Sequence, residues 1–167
     1  MSETNEPEIL FGIYCPPHPQ PLLSPEASEG YSNLRAAYDE CRKRIEESGK
    51  RVVLVASHSL THRHFVEEAP LPEDMSKEHI YNHSQYVWDM KIVEMMRDGK
   101  SREVIDIMPE FTEQTIAETE GGGLIWMLGA MGFPDFPAEI YGYQSVIGTG
   151  NVIACWDPND DTREYVL

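Results

Sequence analysis

The sequence predicts a single α/β domain, with a small, mostly parallel central sheet covered by helices. Three observations carry that prediction. The chain has 167 residues, a length that suits one domain and buries a core without disulfide or metal staples. Residues 52–56 (VVLVA) are a continuous β-branched, apolar run, the pattern of a strand buried on both faces. A short apolar run, a long amphipathic segment and this strand follow one another in the order of a right-handed βαβ unit.

The first apolar run is 9–14 (ILFGIY), stopped by Pro16-Pro17. Residues 1–8 are a polar tail and 159–167 a second one, which leaves 9–158 as the domain. Residues 15–23 (CPPHPQPLL) hold four prolines, so they form a stiff, extended loop that presents His18 with little backbone freedom. A helix over 28–48 follows from Leu34, Tyr38, Cys41 and Ile45 at helical spacing. After the strand at 52–56, residues 57–64 (SHSLTHRH) form a loop. A helix over 76–98 turns Ile80, Val87, Met90 and 93–96 inward, and Met90, Met95 and Met96 serve as core filler. Ser101 caps a short helix that Pro109 ends, and Pro109 begins another to about 118. Gly121–Gly123 interrupt, and 124–131 form an apolar helix ended by Gly132. Two strands, 138–147 and 151–156, close the chain with a turn or bulge at Gly148-Thr149-Gly150.

Composition narrows the function. Asp and Glu number 29 against 13 Lys and Arg, for a net charge of −16. Nucleic-acid binding needs clustered cations, and so does docking on anionic membranes, so neither is expected. The first eight residues (MSETNEPE) do not read as a targeting segment, and no apolar stretch is long enough to span a bilayer. Cys15, Cys41 and Cys155 are an odd, scattered set that fits reduced thiols in a cytoplasm. Nothing supports a nucleotide, haem or flavin: the GTGN stretch is neither a dinucleotide fingerprint nor a phosphate loop.

The candidate chemistry lies in histidines. His18, His58, His62 and His64 fall on two loops that each follow a predicted strand, where open α/β sheets bind ligands. Each could equally be a hydrogen-bonded surface histidine. Glu118 and Glu120 precede three glycines; a carboxylate there either serves the helix dipole or acts as a ligand against a close-packed backbone. Two imidazoles and one carboxylate with open positions suit non-haem Fe(II) chemistry with O₂. His79 and His83, one helical turn apart, offer a second pair, with no third ligand nearby.

Three stretches carry a family resemblance: His18-Pro-Gln-Pro-Leu-Leu, the 59–65 segment SLTHRHF, and 118–132 (ETEGGGLIWMLGAMG) leading to Tyr143 and 147–151 (IGTGN). With Tyr86-Val-Trp88-Asp89-Met between them, the last two cover most of residues 52–157. The chain resembles the class III extradiol ring-cleavage dioxygenases of the protocatechuate 4,5-dioxygenase type, and most the aminophenol dioxygenase branch, in a shortened form. The resemblance implies Fe(II) held by two histidines and one glutamate, with a further histidine as acid/base on the phenol. His18 matches the first ligand, Glu120 the glutamate and His62 the acid/base group, with His64 assisting. The family's middle section is missing here, so His58 stands in as the second ligand. Trp126, Phe133 and Tyr143 would line a pocket for a catechol or aminophenol that reacts with O₂.

The same branch pairs a catalytic subunit with a related one that has lost its metal. A non-catalytic partner subunit, or a small-aromatic-binding protein with an incomplete metal site, is therefore the alternative. A third reading is an unrelated metal-dependent hydrolase or lyase on the same scaffold. Association is expected, as a homo-oligomer or a hetero-oligomer with a related subunit, because a sheet edge and the 124–131 helix would otherwise lack cover.

Overall fold

The computed structural model describes residues 8–11, 25–65, 74 and 78–158. The segment carrying Cys15 and His18, and both expected tails apart from Glu8, lie outside them.

β1 (Glu8–Phe11) pairs in parallel with β2 (Val52–Val55), joined by α1 (Pro25–Ser48), with Leu10 opposite Leu54. This is the strand–helix–strand unit the apolar runs predict. β2 is not buried on both faces, however. Val53 and Val55 remain 47% and 37% exposed, alternating with the half-buried Val52 and Leu54. Among the described residues the strands form two separate two-stranded sheets, β1–β2 parallel and β3–β4 antiparallel, and not the expected single, mostly parallel sheet.

The second sheet is the terminal hairpin, β3 (Glu139–Val146) and β4 (Thr149–Cys155), with a register shift near Gly142. Its turn falls at Ile147 and Gly148, both in the left-handed region. A Cβ on Gly148 would sit 2.7 Å from the Arg63 carbonyl oxygen, so this glycine answers both a turn and a close approach. The two sheets stay apart because the 57–65 segment comes between them. It reaches β4 through Leu60 N–H to Gly150 O (2.8 Å) and Gly150 N–H to Thr61 O (3.0 Å) and Oγ1 (3.1 Å).

The helices pack beneath these strands. α2 is His83–Arg97, shorter than the 76–98 expected. Asn82 caps it, its side chain accepting from Gln85 N–H, and the cap fixes the start. Val93 and Met96 are buried as predicted, and so is Ile92, which the pattern did not single out, but Val87 is 52% exposed. α3 runs unbroken through Pro109 over Ser101–Thr115, with Lys100 and not Ser101 at the N-cap. Val104, Met108, Phe111 and Thr115 make one buried stripe along it, and this shared face outweighs the hydrogen bond that Pro109 cannot donate. α4 (Gly122–Ala130) is the expected apolar helix. Leu124, Ile125, Trp126 and Leu128 are all buried within the chain, so it needs no partner for cover. Exposed apolar side chains lie on the strands, at Val53, Tyr141 and Ile153, and also at Tyr86 and Val87 of α2 and at Ile116. Among the described residues no helix is long and apolar enough to cross a membrane.

Candidate functional site

The 57–65 segment is held on both sides. His62 N–H donates to Ile116 O (2.9 Å) and Glu118 N–H to Leu60 O (3.1 Å), an antiparallel bridge around Thr61 and Ala117. Beneath it lies Asp89 of α2, fully buried. Its carboxylate accepts from Thr61 N–H (3.2 Å), Thr61 Oγ1 (2.9 Å) and Tyr143 OH (2.6 Å). Burial pushes the Asp89 carboxyl up to about 6, against the pull of these three donors. Gly150 is forced here, since a Cβ would lie 1.8 Å from Asp89 Oδ2. One buried carboxylate thus ties α2, the histidine loop and the hairpin together.

The anchored loop and the turn that follows α3 carry the polar cluster. Residues 116–121 turn sharply: Ile116, Thr119, Glu120 and Gly121 all have positive φ. Residues other than Gly, Asn and Asp rarely adopt this region, and such strain gathers at functional sites. The turn sends the two glutamates to different places. Glu118 accepts from Ser59 Oγ (2.7 Å) and from Ser59 N–H. Ser59 Oγ lies 2.6 Å from His62 Nδ1. Because the serine proton goes to the carboxylate, the oxygen accepts from His62 Nδ1–H, which leaves the lone pair on Nε2. His64 Nε2 is 3.1 Å from that atom. Glu118 Oε2 is also 3.6 Å from His62 Nδ1. The side chains of His62 and Glu118 are 39% and 26% exposed, so the row Glu118–Ser59–His62–His64 begins inside and opens to solvent.

His58 stands next to this row. Its Nδ1 lies 2.6 Å from Ser59 O, which fixes the proton on Nδ1 and frees Nε2. Burial holds it below the usual histidine range, in the neutral form. Its ring lies against Gly123 of α4, where a Cβ would come 2.9 Å from Cδ2. A neutral imidazole oriented by a backbone carbonyl is the ordinary state of a metal ligand. The Glu120 carboxyl, raised by burial, makes no hydrogen bond among the described residues. Each is chemically fit to hold a metal. Even so, no three His, Cys, Asp or Glu side chains converge to hold one among the described residues. His18, the remaining expected ligand, lies outside those residues.

The three aromatic residues expected at a substrate pocket are not among the residues that line the cavity beside His58. Trp126 is in the core at 8% exposure. Phe133 packs edge-on against Tyr38 at 5.5 Å, with the Arg102 guanidinium 4.9 Å above its ring. Tyr143 gives its hydroxyl to Asp89. A cavity of about 190 Å³ does open beside His58, between β2, α4 and β4, with Trp156 as its aromatic wall. The second histidine pair does not form: His79 precedes α2 and packs on Phe65, while His83 stacks on Tyr86. Ser59, Asp89 and Trp156 were not visible as site residues from spacing. The signal that could have found Ser59 is its position three residues before His62.

Residues 33–154 match the family described as the catalytic LigB subunit of aromatic ring-opening dioxygenase. The chain is 46% identical over 129 residues to the 2-aminophenol 1,6-dioxygenase beta subunit of a Pseudomonas species, which covers 77% of this chain and 42% of that protein. It is 23% identical over 111 residues to 3,4-dihydroxyphenylacetate 2,3-dioxygenase of Escherichia coli, covering 66% of this chain and 39% of that one. The chain spans about two-fifths of the length of these curated relatives.

Proposed function

This chain belongs to the LigB family of aromatic ring-opening dioxygenases, and on that premise we propose that it opens the ring of a catechol or aminophenol by extradiol cleavage, with Fe(II) and O₂. The observation that carries the reading is the row Glu118–Ser59–His62–His64. It is a proton-handling device, with its base fixed in one tautomer and its far end backed by a carboxylate. A phenol must lose a proton to become a good ligand and nucleophile, and later steps must return it. In this reading His62 Nε2 takes the phenolic proton, at the place His64 now occupies at 3.1 Å. Glu118 steadies the resulting imidazolium through Ser59 until His62 returns the proton.

The iron ligands in this reading are His18, His58 and Glu120. Glu118 is committed to Ser59, which leaves Glu120 as the carboxylate of the turn free to bind a cation. Bound Fe(II) would supply a common site for the phenolate and O₂. Anaerobic iron loading tests the assignment. Stoichiometric iron in the wild type, lost in His18→Ala and Glu120→Ala and kept in Glu118→Gln, is the expected pattern. No iron in the wild type would overturn it.

A second reading has an observation of its own. The outer faces of the strands leave Val53, Tyr141 and Ile153 exposed, a surface a partner subunit would cover. In that reading the chain works within a hetero-oligomer, in keeping with a relative that is itself named as a beta subunit. Light scattering tests it: a monomer that turns over 2-aminophenol unaided would count against it.

A further inference from the structure

We propose that His62 and His64 form a second cation site, separate from the iron ligands, which takes a divalent ion of the zinc class. Their Nε2 atoms lie 3.1 Å apart, with the rings nearly perpendicular and their centres 4.5 Å apart. Two imidazoles on one tetrahedral zinc, at about 2.0–2.1 Å each, hold their nitrogens roughly 3.3–3.4 Å apart. A small rotation of either side chain therefore turns the pair into a chelate. Imidazole nitrogen suits zinc, copper(II) and nickel(II), whereas calcium and magnesium prefer oxygen. In the ion-free pair a proton on His64 Nε2 spans the gap. The cation takes its place, and that proton passes to His64 Nδ1 or to water.

The surroundings prepare the pair. Ser59 Oγ holds the His62 proton on Nδ1, and Glu118 backs that serine, so Nε2 keeps its lone pair. A carboxylate behind a histidine fixes the ring and raises its basicity as a ligand. Glu118 approaches His62 at Nδ1, so it supports the site from behind, and water fills the remaining positions. The backbone is tied on either side of the pair, by His62 N–H to Ile116 O (2.9 Å) and Phe65 N–H to Ile147 O (3.0 Å), which leaves little to order on binding. His64 is exposed and His62 partly so, which gives an ion its entry path. Arg63, between them, lays its guanidinium over the Tyr81 ring at 4.0 Å, and the net charge of −16 favours a cation. A cation here occupies the lone pair with which His62 takes a phenolic proton. That consequence rests on the ring-opening reading; the binding itself does not.

Zinc titrated into the metal-free full chain, and into Glu120→Ala to remove competition from the iron ligands, tests the site through the histidine ring-nitrogen resonances. Zinc should move the Nε2 resonances of His62 and His64 in both proteins and leave those of His79 and His83 in place. In the Glu120→Ala background, His64→Gln should weaken zinc about tenfold or more, and Ser59→Ala about tenfold, the usual worth of a group that orients a ligand. His62 and His64 resonances unmoved by excess zinc, or His79 and His83 moving over the same range, would overturn the proposal. The wild-type resonances need no variant, so a misfolded substitution would not block the test. In the iron-loaded wild type, zinc should lower O₂ uptake with 2-aminophenol about tenfold at unchanged iron content. Zinc on the pair with uptake undiminished would keep the site and reject His62 as the base. Uptake lost only as iron is displaced, with both resonances unmoved in the metal-free chain, would reject the site and keep the ring-opening reading.

Discussion

Replacing Tyr143 by Phe separates two roles for one side chain. The ring keeps its volume and its edge contact with Tyr86 at 5.8 Å, so no cavity forms. What is lost is the hydroxyl bonded at 2.6 Å to Asp89 Oδ2. A hydrogen bond to a charged acceptor contributes about 1.5–3 kcal/mol, and one to a neutral acceptor about 1 kcal/mol. Asp89, with a folded-state pKa of about 6, is ionised at pH 8 and protonated at pH 5. The loss should therefore be about 2 kcal/mol at pH 8 and roughly half that at pH 5. For a chain of this size that is about 4–8 °C in Tm at pH 8.

The wild type sets the baseline. Burial raises Asp89 from 3.8 to about 6, so the folded state binds the proton more tightly than the unfolded state. Its contribution to stability is therefore greatest below pH 3.8 and falls as pH rises to about 6. The swing is on the order of 3 kcal/mol. The Tyr143 bond lowers the Asp89 pKa, so in Tyr143→Phe the falling limb should extend to higher pH. Urea melts at pH 5 and pH 8 measure both effects. An unchanged midpoint at pH 8, together with a large rise in KM, would refute the structural role and return Tyr143 to the substrate.

Other substitutions probe neighbouring parts of the account. Ser59→Ala disconnects Glu118 from His62 and should lower kcat by about 10–100-fold, the worth of one charge-assisted bond, with iron content unchanged in the loaded protein. Gly150→Ala places a Cβ 1.8 Å from Asp89 Oδ2 and should destabilise by about 3 kcal/mol or more, read as a lower urea midpoint. Pro109→Ala restores a backbone donor inside α3, where Pro109 is exposed, and should raise Tm by a few degrees at unchanged activity.

Much of this was legible in the sequence where burial and local rules agree. The apolar runs mark β2 and α4, the helical spacing marks α1, and the Gly148 turn marks the hairpin, because each follows from side-chain period or glycine chemistry alone. The sheet was not, because the continuity of a sheet depends on where a loop passes. Residues 57–65 lie between the two strand pairs, bonded to the hairpin through Leu60 and Thr61 at Gly150 and through Phe65 at Ile147, and nothing in an apolar pattern announces that. Pro109 reads as a boundary by propensity and is overruled by the buried stripe on either side of it. Glu118 and Glu120 are equivalent two residues apart in sequence. The left-handed backbone at Thr119 and Glu120 directs Glu118 to Ser59 and His62. Asp89 was hidden for a related reason: a carboxylate amid α2 looks solvated until Thr61 and Tyr143 are brought to it.

Oxygen uptake with 2-aminophenol, by iron-loaded wild type beside iron-loaded His62→Gln, tests the central claim most directly. The account predicts one O₂ consumed per ring opened by the wild type, and a rate lower by about 10²–10⁴-fold in the variant at equal iron content, the usual contribution of a general acid–base group. A variant as fast as the wild type, or a fully loaded wild type that consumes no O₂, would contradict it.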